Sequence, residues 1–250
     1  MNGSRQAGAP AAFPAPTTER LREALAAVLA PEALDWLETA AEQVATAPEA
    51  IRAIFPAVGR RCGRGPLPGE PAGWTVDDAA RGVMLGALRI RGEALSRELE
   101  ALYRFGDAAE RRGVLRALPL LDVGPRAVVV VEDALRTSDT RLIAAALGPY
   151  AADHLEQALW RQAVLKAVFN DIPLVSIAGL DERADEDLAR MLADFAHERI
   201  AAGRSVPAAA WPIIDRFPGI LERSGILAEI ESDVAARRAA AERALADRRR

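Results

Sequence analysis

Apolar residues recur every three or four positions along almost the whole chain, and Gly and Pro cut that rhythm into segments of helical length. Leu21, Leu25 and Leu29 mark a first helix behind Thr18, a suitable N-cap. Pro31 ends it and opens the next, EALDWLETAAEQVA. A third helix is predicted over Pro48 to Arg60, bent or interrupted at Pro56. Residues 61–74, rich in Gly and Pro, read as a loop. Thr75 with Asp78 resembles a capping box and starts VDDAARGVMLGALRI, followed by a helix over Glu93–Phe105. Gly106-Asp107 then caps AAERRGVLRALPLL, whose Val114, Leu115, Leu118 and Leu121 predict a buried face; Pro119 bends or ends it.

The run AVVVVEDAL at 127–135 is the stretch with strand character, because four valines are β-branched. Glu132, Asp133 and Arg136 continue a helical pattern and Pro125 suits a helix start, so a helix is predicted. Asp139 caps a short helix that ends at Gly148-Pro149. A long helix is expected over about 151–169, with Pro173 breaking it. Residues 174–180 form a short apolar turn or helix, and Asp185 leads into a helix closed by Ala202-Gly203. Trp211-Pro212 begins another short element. From Ile226 onward the Ala/Glu/Arg composition predicts a terminal helix fraying into a charged tail.

The pattern therefore predicts an all-α protein, a multi-helix solenoid-like (HEAT-type) or helical-bundle single domain, without a fixed repeat period. Its expected organisation is a disordered Ala/Pro-rich leader over 1–17, a helical domain over 18–218 and a charged helix or tail over 219–250.

Composition narrows the function classes. Half of the 250 residues are hydrophobic but 5% are aromatic, so burial relies on Ala, Leu, Val and Ile in closely packed helices. A net charge of −4 gives no electrostatic reason to expect nucleic acid. A single cysteine, Cys62, excludes an intrachain disulfide and a multi-cysteine metal site. Its neighbours Arg60, Arg61 and Arg64 are able to activate a thiol, although a chance cysteine in an Arg-rich loop explains it as well. No apolar run approaches the ~20 residues of a membrane span, and the N-terminus lacks a signal-peptide core. The expectation is a soluble, cytoplasmic protein.

Most of the chemical variety falls in residues 154–204, which hold both histidines, His154 and His197, and the sole lysine, Lys166. In WRQAVLKAVFND, the residues Trp160, Val164, Leu165, Ala167, Val168 and Phe169 occupy most of the helix circumference and predict burial. Gln162, Lys166 and Asn170 form one narrow polar stripe, which is either a solvent edge or the wall of a polar cavity. On the next helix Leu188, Met191, Leu192 and Phe195 read as the core face, and Asp187, Arg190, Asp194 and His197 share another. Asp194 and His197 stand one turn apart, a minimal acid–base or metal fragment to which His154, Asp171 or Asp181 would add a third ligand, although the spacing does not require one. A solvated face with ordinary ion pairs accounts for the same spacing. GRRCGRG at 59–65 lacks the ending and the preceding strand of a phosphate loop. No nucleophile elbow, HExxH or dinucleotide fingerprint occurs, and the pattern requires neither a metal nor a particular cofactor.

Several segments together resemble the EboA family of bacterial proteins: YRFGDAAERRGVLRALPLL (103–121), ALRTSD (134–139), WRQAVLKAVFNDIPLVSIAGLDERADEDLARMLADFAHERIAAG (160–203) and, more weakly, GWTVDDAARGVMLGAL (73–88). The similarity covers roughly residues 20–217 and is strongest in the second half. The resemblance implies an all-helical protein from a gene cluster that also holds a UbiA-like prenyltransferase, a metal-dependent hydrolase and sugar-phosphate-type enzymes. Such clusters are associated with moving a secondary-metabolite precursor. It implies a pathway context and no catalytic residue.

Together these readings favour a non-enzymatic helical binding or scaffold protein, holding a metabolite or docking partner proteins of the cluster such as the prenyltransferase. Its expected contacts are Gln162, Lys166, Asn170, Asp171, Asp181, Asp194 and His197, with Trp160 and Phe169 as apolar wall. The alternative is a pathway enzyme with Asp194 and His197 as acid–base pair, assisted by Lys166, Asp171 or Asp181.

Overall fold

Small side chains let helices approach closely, and the computed structural model, which describes residues 16–69 and 73–248, is all-α. Among the described residues, extended structure is limited to one bridge between Pro66 and Thr75. The helices of six or more residues are α1 (Thr18–Ala26), α2 (Pro31–Thr46), α3 (Val76–Gly86), α4 (Gly92–Phe105), α5 (Ala108–Ala117), α6 (Val128–Arg136), α7 (Thr140–Ala146), α8 (Pro149–His154), α9 (Gln157–Phe169), α10 (Glu186–Ala201), α11 (Pro218–Arg223) and α12 (Ala235–Asp247). The valine run is helical, as its charged flank predicts. The expected leader falls outside the described residues except for its last two positions. None of the described helices is long and apolar enough to cross a membrane.

Two compact units divide the chain, one ending at His154 and one beginning at Leu155. In the first, α3 packs on α1, α2 and α5. Its residues Val76 to Leu85 are all buried, Asp77, Asp78 and Arg81 among them. Asp77 accepts a 2.6 Å hydrogen bond from Arg81 Nη1 one turn on. Asp78 accepts from Arg112 Nε at 2.9 Å to both oxygens and has Arg116 Nε at 3.3 Å. Thr75 caps α3 through the Asp78 amide, but the Asp78 carboxylate does not return to complete a capping box. Arginine on α5 outcompetes the short-range bond because the site is buried and the carboxylate needs a counter-charge. Burial pushes the Asp78 carboxyl above the usual range even so. Gly113 makes the arrangement fit, since a Cβ there would stand 2.5 Å from Arg81 Cδ.

Cys62 is buried in the same unit, and burial raises its thiol to about 11. The neighbouring arginines therefore do not activate it. The predicted third helix breaks into the short helices Ile51–Ile54 and Val58–Arg61 around a 3₁₀ turn at Phe55–Ala57, because Pro56 cannot continue the ladder. Pro119 likewise ends α5 in a 3₁₀ turn.

In the second unit α10 packs on α9, α11, α12 and the short helix Trp211–Ile214. The long helix expected from about 151 to 169 is two helices. The Glu156 carboxylate accepts from the amides of Ala158 (2.8 Å) and Leu159 (3.2 Å), starting α9 anew. The terminal segment also departs from expectation. Ala240, Ala241 and Ala244 of α12 are buried, so a stripe of methyl groups docks a helix that offers little other apolar surface.

Candidate functional site

Within the second unit, the residues singled out by the sequence fall into separate environments. Trp160 is 0% exposed and belongs to the core, with the Arg183 guanidinium 4.9 Å from its ring centroid. It has no surface to present as a wall. Phe169 points outward at 61% exposure and meets Phe195 at 5.9 Å, so the buried face of α9 is narrower than its composition predicts. Gln162 is exposed, Lys166 and Asn170 are half-buried, and Asn170 Nδ2 donates to the Lys166 carbonyl at 2.7 Å. Asp171 is exposed in the following turn at φ 55°, and Asp181 is exposed 3.8 Å from Arg216. His154, on α8 of the first unit, packs its ring 4.6 Å from that of Tyr150. Among the described residues, no group of three His, Cys, Asp or Glu side chains is placed to hold a metal ion.

One shared face does form. Asp187, Arg190 and Asp194 of α10, spaced as the helical period requires, line an open cleft of about 460 Å³ with Asp185, Glu186, Ala193, Ile220, Arg223 and Ser224. Arg190 bridges Asp187 at 3.3 Å and Asp194 at 3.8 Å, and Arg223 holds Glu186 at 2.8 Å. Asp185 anchors the cleft. It caps α10 by accepting from the Leu188 amide, and takes further bonds from Arg161 (2.6 Å) and Gln157 (2.9 Å). The Arg161 bond leads in holding its carboxyl down at about 2, with burial opposing. Ile220 and Ala193 give the cleft an apolar side between charged walls.

His197, the next residue along that face of α10, does not pair with Asp194. Its Nε2 lies 3.0 Å from Glu229 Oε1, and Arg237 binds the same oxygen. Those bonds, His197 first, hold the Glu229 carboxyl below the ordinary range. An ionised carboxylate has no hydrogen to give, so Nε2–H donates. Gly225, at φ +80°, lies close to the imidazole; a Cβ there would meet Cε1 at 2.9 Å.

Sequence reasoning found the α10 face but missed Glu229 and Arg237, which lie in the segment read as a solvated tail. Their signal is weak, because a partner 32 residues away leaves no periodic trace. Gly225 directly after Ser224 was the local cue, as a glycine ending a helical run marks a left-handed cap.

A family model described as metabolite traffic protein EboA matches residues 17–215. Comparison with curated proteins and with solved structures gives no match. Since the matched span takes in most of the chain, from α1 to the turn after Trp211–Ile214, the protein belongs to the EboA family.

Proposed function

We propose that this chain serves metabolite traffic as a binding component, and that it holds a small polar metabolite in the cleft between α10 and α11 rather than transforming it. The family description supplies the traffic context. The observation that carries the binding reading is the cleft itself. Its 460 Å³ lies within the roughly 300–1,000 Å³ typical of ligand sites, and it sets an apolar patch beside charged groups. Those groups stand in ion pairs, and Asp185 is held well below the ordinary carboxyl range, an arrangement suited to recognising a ligand by charge and hydrogen bonding rather than by proton transfer. Asp194 and Arg190, the partners joined at 3.8 Å, are the pair a ligand separates at least cost.

The test is thermal unfolding of the full chain with and without the small-molecule fraction of a host extract. A ligand that binds the folded state raises the transition by mass action. The shift is expected for the wild type and for Lys166→Ala, and is lost in Arg190→Ala. A shift retained in Arg190→Ala and lost in Lys166→Ala would move the site to the Gln162, Lys166 and Asn170 stripe.

One observation favours an enzymatic reading. A carboxylate-oriented imidazole is a fragment of many acid–base sites, and His197 has such an orienter in Glu229. The pair would then be His197 with Glu229, in place of His197 with Asp194. Under that reading His197→Ala abolishes the pathway product while the protein stays folded; undiminished product removes it.

A further inference from the structure

Arg81 of α3 carries a buried hydrogen-bonding edge that no protein group meets. Its side chain is fully buried, and Asp77 takes Nη1 at 2.6 Å. The Nε and Nη2 atoms are shut from solvent as well, and no acceptor among the described residues reaches them. These two nitrogens form the fork with which a guanidinium grips an anion from one side. Elsewhere in the chain the same fork is filled, on Arg52 by Glu98 at 2.9 and 2.7 Å and on Arg161 by Asp185 at 2.9 and 2.6 Å. The Phe55 ring stands 5.4 Å from the Arg81 guanidinium, a contact that attracts the charge but offers the two N–H groups no lone pair. Buried donors cost free energy when unmet, and native proteins satisfy them with a protein group, a water or an ion.

We propose that the Nε and Nη2 fork of Arg81 is a binding site for one small monovalent anion, such as chloride, held inside the first unit. Charge selects an anion over a water. Arg81, Arg112 and Arg116 meet Asp77 and Asp78 in one cluster, which leaves a single positive charge in surplus. Cys62 lies within the field of Arg81 and Asp77 but does not supply the missing charge, because burial holds it as a neutral thiol at about 11. Asp107 acts on Arg81 from the start of α5, but it is exposed, caps that helix and has Arg64 at 3.8 Å to offset it. Sealing sets the size. A fork with no opening to solvent has no place for the body of a metabolite, so the ligand is limited to a very few atoms. The site is thus separate from the open cleft on α10 and independent of what that cleft binds.

Thermal unfolding of the full chain at constant ionic strength, with sodium chloride replacing sodium gluconate, tests this. The wild-type transition rises by about 3–5 °C for each tenfold increase in chloride above the dissociation constant. Arg81→Lys keeps the positive charge but loses the fork, and its transition stays flat across the same series. Crystals of the wild type grown in bromide show an anomalous peak at Nε and Nη2 of Arg81, a readout that stands without any variant should Arg81→Lys not fold. A wild-type transition indifferent to chloride, a rise of equal size in Arg81→Lys, or a water where the bromide peak is expected, overturns the proposal.

Discussion

Helices α3 and α10 are the central helices of their units and use the same chemistry, aspartate against arginine, to opposite ends. On α3 the charges are sealed: Asp77, Asp78 and Arg81 are all at 0% exposure. Arg112 and Arg116 reach in from α5 to neutralise Asp78. On α10 the side chains of Asp187, Arg190 and Asp194 are more than half exposed and line an open cleft. Desolvation decides the difference. A sealed ion pair cannot exchange its partner without stranding a charge, so it specifies the fold. An exposed pair is worth little to stability and is free to trade one partner for a ligand.

The contrast breaks most visibly at Arg81. Arg81→Ala removes the buried guanidinium one turn from Asp77, leaving that carboxylate the Thr75 hydroxyl and Arg112 at 3.5 Å, and should cost about 3 kcal/mol, read by urea unfolding. Arg190→Ala, on the open helix, should change stability by less than about 0.5 kcal/mol in the same experiment. A cost at Arg190 equal to that at Arg81 would remove the distinction.

Two smaller effects sharpen it. Gly113→Ala should lower stability by about 1–3 kcal/mol, because its Cβ intrudes on Arg81. Asp185→Asn keeps a capping oxygen for α10 but takes the charge out of the Arg161 bond, and should cost about 1 kcal/mol near neutral pH. The sign of its pH dependence follows from the lowered carboxyl. Asp185 titrates at about 2 in the fold against 3.8 ordinarily, so its contribution is complete above the ordinary value. It is lost as pH falls through about 2, and the stability curves of wild type and Asp185→Asn should converge there.

Helix periodicity, capping residues and proline breaks were legible in the sequence because each is a local rule, and they set the all-α class and most boundaries. The break at Leu155 escaped because glutamate is an uncommon N-cap and no Gly or Pro marks the site. Burial of α3 escaped for a different reason. VDDAARGVMLGALRI reads as an ordinary amphipathic helix, and only Arg112 and Arg116, more than thirty residues away, make its polar face a core face. At the candidate site, the i, i+3, i+7 spacing located Asp187, Arg190 and Asp194 correctly on one face. It could not supply the α11 wall or Glu229, which arrive from distant sequence.

Native mass spectrometry of the full chain, purified gently from its own host as wild type and as Arg190→Ala, tests the central claim most directly. The account predicts a mass excess on the wild type that disappears on denaturation and is absent from the folded variant. A wild-type mass equal to the bare polypeptide, or an excess that Arg190→Ala retains, would contradict it.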